Sequence, residues 1–249
     1  MSEPALAPRR PGGQMASRPL HFIWLADGSG SMRVDGKIQA LNNAIREAIP
    51  HMQTVARENP HASVFVRAIR FADEARWLGE KEVPVAEFRW QDMEAGGVTA
   101  LGEALTLVGD ALQSPLMNER ALPPVIALVT DGLPTDDFQA GLQYLMSKPW
   151  GQQALRIVVA IGEDAASNEA QEIFRAFVAN DALRPFQANN PEALVEHIRW
   201  VSTAALKSVS APASQIADPV TGKSVVSSGL QVPMPFAPKS SLMDDGDVW

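Results

Sequence analysis

LHFIWLADGSGS (residues 20–31) decides how this chain is read. Its first half is a continuous apolar run with aromatic and β-branched members. A strand buried on both faces of a parallel sheet requires such a run, because neither face meets water. Its second half sets three oxygen-bearing side chains, Asp27, Ser29 and Ser31, at alternate positions of one short loop, with Gly28 and Gly30 between them. Glycine lets the backbone turn tightly and leaves the oxygens accessible.

Downstream, KIQALNNAIREAIPHMQTVAREN carries Ile38, Leu41, Ile45, Ile49 and Met52 at helical spacing. Pro50 is expected to kink that helix or break it in two. ASVFVRAIRFAD reads as a second strand, and residues 75–78 and 83–88 as an edge hairpin or strand. TALGEALTLVGDAL is a helix with Thr99 at its start, and PPVIALVTDG a buried strand ending in a turn at Asp131-Gly132. Residues 136–147 read as a helix with Thr135 as its N-cap. LRIVVAIG is a strand, SNEAQEIFRAFVAN a helix, RPFQA a short strand, and NPEALVEHIRWVSTAAL a last helix capped near Asn189 or Asn190.

This alternation predicts an α/β fold, a doubly wound, mostly parallel central sheet flanked by helices. The domain spans residues 18–206. Residues 1–17, rich in Pro, Gly and Arg, read as a disordered N-terminal arm, with Met15 an alternative start. Residues 207–249 read as a Pro/Ser-rich linker and acidic C-terminal tail.

Sheets of this kind take ligands beyond the carboxyl ends of their strands. Three loops there draw attention: the one after Ala26, the one at Gly96-Gly97-Val98-Thr99, and the one after Thr130. Together they offer Asp27, Ser29, Ser31, Thr99 and Asp131, two carboxylates and three hydroxyls without His or Cys. Hard oxygen donors select hard cations. Mg²⁺ wants about six oxygens and keeps several waters, which suits so few protein ligands, and Mn²⁺ fits as well.

Other readings of the loop fail. An EF-hand starting at Asp27 needs Gly and Glu where Met32 and Ile38 stand. No G-x-x-x-x-G-K-[ST] phosphate loop occurs. Ser29, Asp131 and His197 run in the order of an α/β-hydrolase triad, but G-x-S-x-G would need glycine at position 27. The chain has no cysteine, which removes disulfide, thiolate-metal and Cys-nucleophile chemistry. A net charge of -8 argues against nucleic-acid binding. No segment approaches the ~20 apolar residues of a membrane span, and the N-terminus lacks a signal-peptide core. The expectation is a soluble, cytoplasmic protein.

Taken with GGVTALGEAL and LVTDGLPTDD, the loop resembles the metal-ion-dependent adhesion site of von Willebrand factor A (VWA) domains. That pattern is Asp-x-Ser-x-Ser, then a distant Thr, then a distant Asp. Asp27, Ser29, Ser31, Thr99 and Asp131 fill it in order over about residues 18–206. LVTDGLPTDD gives the resemblance a bacterial character, similar to TerY-like tellurite-resistance VWA proteins. The resemblance implies that the serines, with the threonine or last aspartate, bind Mg²⁺ or Mn²⁺ directly and the rest through water. It also implies that a protein partner's acidic side chain completes the coordination. The function implied is an adaptor or scaffold, not an enzyme, in a bacterial stress or tellurite-resistance-type system beside an associated kinase or phosphatase. The alternative is a metal-dependent hydrolase or phosphoryl-transfer enzyme. Gly28 departs from many relatives but leaves the ligand positions intact.

Singly, Asp27 and Ser31 are ordinary turn or cap residues; only the whole set speaks for a metal. Trp24 is expected in the core, and ordinary packing is the default for Trp77, Trp90 and Trp150, although Trp90 and Trp150 suit the rim of a partner surface. Arg67, Arg70, Arg76 and Arg89, spread among acids, read as a solvated face. The tail ends in Asp244, Asp245, Asp247 and Trp249, acids beside an apolar anchor. That end is a candidate for docking at its own metal site or a neighbour's, and so for self-association.

Overall fold

β1 (Arg18–Asp27) is buried from Leu20 to its last residue, and it forms the middle of the sheet. On one side it pairs in parallel with β2 (Ala62–Phe71), on the other with β5 (Val125–Thr130). β6 (Leu155–Ile161) and β7 (Phe186–Ala188) continue in parallel beyond β5. β3 (Ala75–Trp77) and β4 (Val83–Pro84) pair antiparallel with β2 at the far edge. The segments within 75–78 and 83–88 are therefore edge strands on β2 and not a hairpin with each other. The order β3-β2-β1-β5-β6-β7 confirms the mostly parallel α/β sheet. Chain order reverses between β1 and β5, where such sheets open a crevice. The computed structural model describes residues 17–113, 117 and 119–210. The expectations for an alternative start at Met15 and for tail docking lie outside these residues.

The helices are α1 (Lys37–Glu58), α2 (Leu101–Ala111), α3 (Phe138–Met146), α4 (Pro149–Gln153), α5 (Asn168–Val178) and α6 (Pro191–Ser210). α1 packs on α6, and α2 on α3. α1 is one helix, which corrects the expectation of a break at Pro50. The proline faces solvent, where its missing N–H costs least, while Ile38, Leu41, Ile45 and Met52 stay buried on the opposite side. α6 runs on to Ser210, whose hydroxyl accepts a hydrogen bond from Asn59 Nδ2 at the end of α1. Asn190 caps α6, accepting from the Ala193 N–H. Between β1 and α1 lies a 3-10 stretch, Gly30–Gly36, ending in left-handed Asp35 (φ 52°) and Gly36 (φ 72°).

α2 and α3 meet backbone to backbone. A Cβ on Gly141 would lie 2.2 Å from the Gly102 carbonyl oxygen. This contact brings the start of α3 onto the start of α2, beside the loop that carries Thr99.

Trp24 is fully buried against Phe22, as expected of a core residue. Trp90 is half-buried and donates from Nε1 to Asn42 Oδ1 at 2.9 Å. Two of the arginines are more than a solvated face. The Arg67 guanidinium stacks 3.6 Å from the Trp77 ring centroid, and Arg70 donates to the carbonyls of Gly28 and Glu94.

Candidate metal centre

Asp27 ends β1 and Thr130 ends β5, so the reversal of strand order places both at the mouth of the crevice. Thr130 Oγ1 donates to Asp27 Oδ2 at 2.5 Å, and the Ser29 N–H donates to Asp27 Oδ1 at 2.8 Å. Ser31 Oγ lies 3.0 Å from Ser29 Oγ and donates to Asp131 Oδ1 at 2.7 Å. Asp27, Ser29, Ser31 and Asp131 thus form one hydrogen-bonded cluster from two loops.

The third loop joins through its backbone. The Gly30 N–H donates to the Gly97 carbonyl and the Gly96 N–H to the Gly28 carbonyl, both at 2.9 Å. Gly97 adopts φ 87°, and a Cβ there would fall 2.4 Å from the Asp73 carboxylate, which accepts from the Val98 N–H. Only glycine suits both the conformation and the space. Thr99, two residues after Gly97, is buried and held at both backbone ends by Thr135: its N–H donates to Thr135 Oγ1, and its carbonyl accepts from the Thr135 N–H.

Thr135 is therefore not the cap of α3. Asp137 is, accepting from the Ala140 N–H. Its neighbour Asp136 accepts from the N–H groups of Gly102 and Glu103 and so caps α2 from across the interface. Thr-Asp-Asp in LVTDGLPTDD fixes Thr99 and two helix starts at once.

Lys37 escaped the sequence reading. Its ammonium lies 3.0 Å from Asp131 Oδ2, with the two side chains 6% and 0% exposed. The signal was present: Lys37 stands four residues before Leu41 and seven before Ala44, on the buried face of α1. Thr130 was missed because it reads as the last residue of a buried strand, and Asp73 because carboxylates in loops are usually local turn formers.

Ser29, Asp131 and His197 are not assembled as a triad. The Asp131 carboxylate engages Ser31 and Lys37, while His197 Nε2 sits 3.0 Å from the Gln187 carbonyl against Phe186. Among the described residues no hydrogen bond joins the three.

Burial raises the Asp27 carboxyl to about 6, opposed by the bonds from Thr130 and Ser29 and reinforced by the charge of Asp131. Folding then favours the protonated acid, so this group supports stability at low pH and withdraws that support as pH rises from about 4 through 6. The shift corresponds to about 3 kcal/mol in metal-free protein. Urea unfolding of wild type and Asp27→Asn in chelator measures it. The wild type should lose about that much relative to the variant between pH 4 and 7. A constant difference would show that Asp27 keeps an ordinary acidity.

The donor chemistry fits a hard divalent cation: carboxylate and hydroxyl oxygens only, two of the five residues being acids. Among the described residues no cluster of three or more His, Cys, Asp or Glu exists that could hold a metal. Any metal at this place would therefore depend on hydroxyls, water and an outside ligand.

The fold is that of a VWA-type domain, a Rossmann-like sheet, and an oxygen cluster lies at its β1–β5 switch. Solved structures bear out that fold. A von Willebrand factor type A protein from Catenulispora acidiphila is 18% identical over 77% of this chain, with a TM-score of 0.55. The ArnB paralog VWA2 from Sulfolobus acidocaldarius is 21% identical over 74%, at 0.51. The pilus adhesin SpaC from Lactobacillus rhamnosus GG is 13% identical over 79%, at 0.59. The matched region spans only 43%, 46% and 32% of those proteins. No protein-family model matches the chain, and neither does any curated protein. Among the described residues no helix is long and apolar enough to cross a membrane.

Proposed function

We propose that this chain is a protein-binding adaptor or scaffold, not a catalyst, which uses a Mg²⁺ or Mn²⁺ ion to capture a carboxylate of its partner. The observation that carries this reading is the approach of three loops at the β1–β5 switch, with Asp27, Ser29, Ser31 and Asp131 in one hydrogen-bonded cluster and Gly96 and Gly97, just before Thr99, bonded to its backbone. Ser29, Ser31, Thr99 and Asp131 would hold the ion together with Asp27, which would act through water and orient the serine loop. A bound ion supplies positive charge with an open position for an external oxygen, which offsets the cost of burying an acidic side chain.

Two further facts support a protein as the ligand. Val34 and Val98 are large hydrophobics left 54% and 49% exposed, and they sit in two of the loops that build the site. Apolar side chains flanking a charged centre give a partner surface both grip and orientation. The bacterial stress or tellurite-resistance setting rests on the resemblance of LVTDGLPTDD, and with it the suggestion of a kinase or phosphatase as partner.

The test joins metal and partner. Mg²⁺ or Mn²⁺ should raise the melting temperature, because only the folded site binds the ion. Affinity capture should recover a partner with Mg²⁺ present and lose it in chelator. Thr99→Ala should weaken metal and partner binding together by about tenfold, and Thr99→Ser should keep both. A metal-induced shift unaltered in Thr99→Ala would show that Thr99 is only a structural threonine.

A further inference from the structure

The cluster already holds a cation of its own. The Lys37 ammonium is buried, and among the described residues its hydrogen-bond acceptor is Asp131 Oδ2. From there the chain of bonds passes through Asp131 Oδ1 to Ser31 and on to Ser29. Every proposed ligand on that path has its hydrogen-bonding capacity partly spent, and the Asp131 charge is already matched. Lys37 is the first residue of α1, and its N–H bonds back to the Met32 and Val34 carbonyls across the left-handed pair Asp35 and Gly36. The backbone holds it at the site, so the ammonium is no chance visitor.

We infer that Lys37 is a tethered competitor for the divalent ion: its ammonium and the metal take Asp131 in alternation, and the lysine sets the metal affinity of the site low. A dication coordinated by Asp131 would bring like charges within a few ångströms of the ammonium in a buried setting, where repulsion is weakly screened. The favourable solution is for Lys37 to leave Asp131 as the ion enters. An ion held so weakly by the protein alone is retained best when an external carboxylate adds to its coordination. The alternation therefore couples metal retention to partner binding. This rests on the metal-site reading above, and the experiment separates the two.

The probe is Mn²⁺, titrated into the full chain and followed by the free-ion electron paramagnetic resonance signal. The variants are Lys37→Gln, which removes the charge but keeps a donor for Asp131, Lys37→Met and Lys37→Arg. Gln and Met should tighten Mn²⁺ binding about tenfold or more, and Arg should not. In the wild type, acetylation of Lys37, read by mass spectrometry, should rise on addition of saturating Mn²⁺, which keeps the inference testable should the neutral variants fold poorly. Equal Mn²⁺ affinity in wild type and Lys37→Gln, or unaltered labelling of Lys37 with Mn²⁺ bound, would overturn the competition while leaving the metal site standing. No Mn²⁺ binding by the wild type or by any variant would overturn the metal reading and the competition together.

Discussion

Asp131→Ala should cost about 3–5 kcal/mol of unfolding free energy in chelator, and it should also erase the stabilisation that Mg²⁺ or Mn²⁺ gives the wild type. The first loss comes from Lys37. With its carboxylate partner gone, the ammonium is a buried charge without compensation, and an unpaired buried charge costs more than the pair contributed. Ser31 loses its acceptor as well. The second loss follows from removing one of the two carboxylates of the proposed site. Urea unfolding with and without metal reads both. Asp131→Ala combined with Lys37→Met should recover most of the stability but none of the metal response. A single variant within about 1 kcal/mol of wild type would mean that the ion pair opens to water and is not buried as described.

Gly141→Ala should cost about 3 kcal/mol, although alanine is the better helix former by up to about 1 kcal/mol. The new methyl would fall 2.2 Å from the Gly102 carbonyl oxygen and 2.7 Å from its Cα. Backbone cannot rotate aside as a side chain can, so α3 must back away from α2. That movement carries Asp136 from the α2 amides and Thr135 from Thr99, so the metal response should weaken too, although Gly141 itself lies away from the site. Gly132→Ala is the control. Nothing lies within 4 Å of its added Cβ, and the expected change is within about 0.5 kcal/mol. Equal melting curves for the two variants would refute the tight crossing.

The difference between these two glycines was not visible in the sequence, and the reason is general. β1, β5 and β6 were legible because strands covered on both faces write themselves as unbroken apolar runs. The helices were legible by their period. The convergence of Asp27 and Asp131 followed from strand order, because both leave carboxyl ends next to the switch. What stayed hidden depends on partners distant in the chain. Thr135 looked like a local cap and instead bonds Thr99, while Asp136 caps a helix that starts more than thirty residues earlier. Lys37 escaped notice because its acceptor, Asp131, stands 94 residues further along the chain. Local pattern identifies elements; pairings across the chain appear only with the fold.

Asp136 has one more effect on what this end of the molecule will accept. A helix start gathers free N–H groups and partial positive charge, and proteins commonly use that combination to seize phosphate. α2 begins immediately after the Thr99 loop and would present such a start next to the oxygen cluster. The Asp136 carboxylate takes two of those amides for itself, Gly102 and Glu103. The chain has thereby plugged a natural anion trap with its own acid.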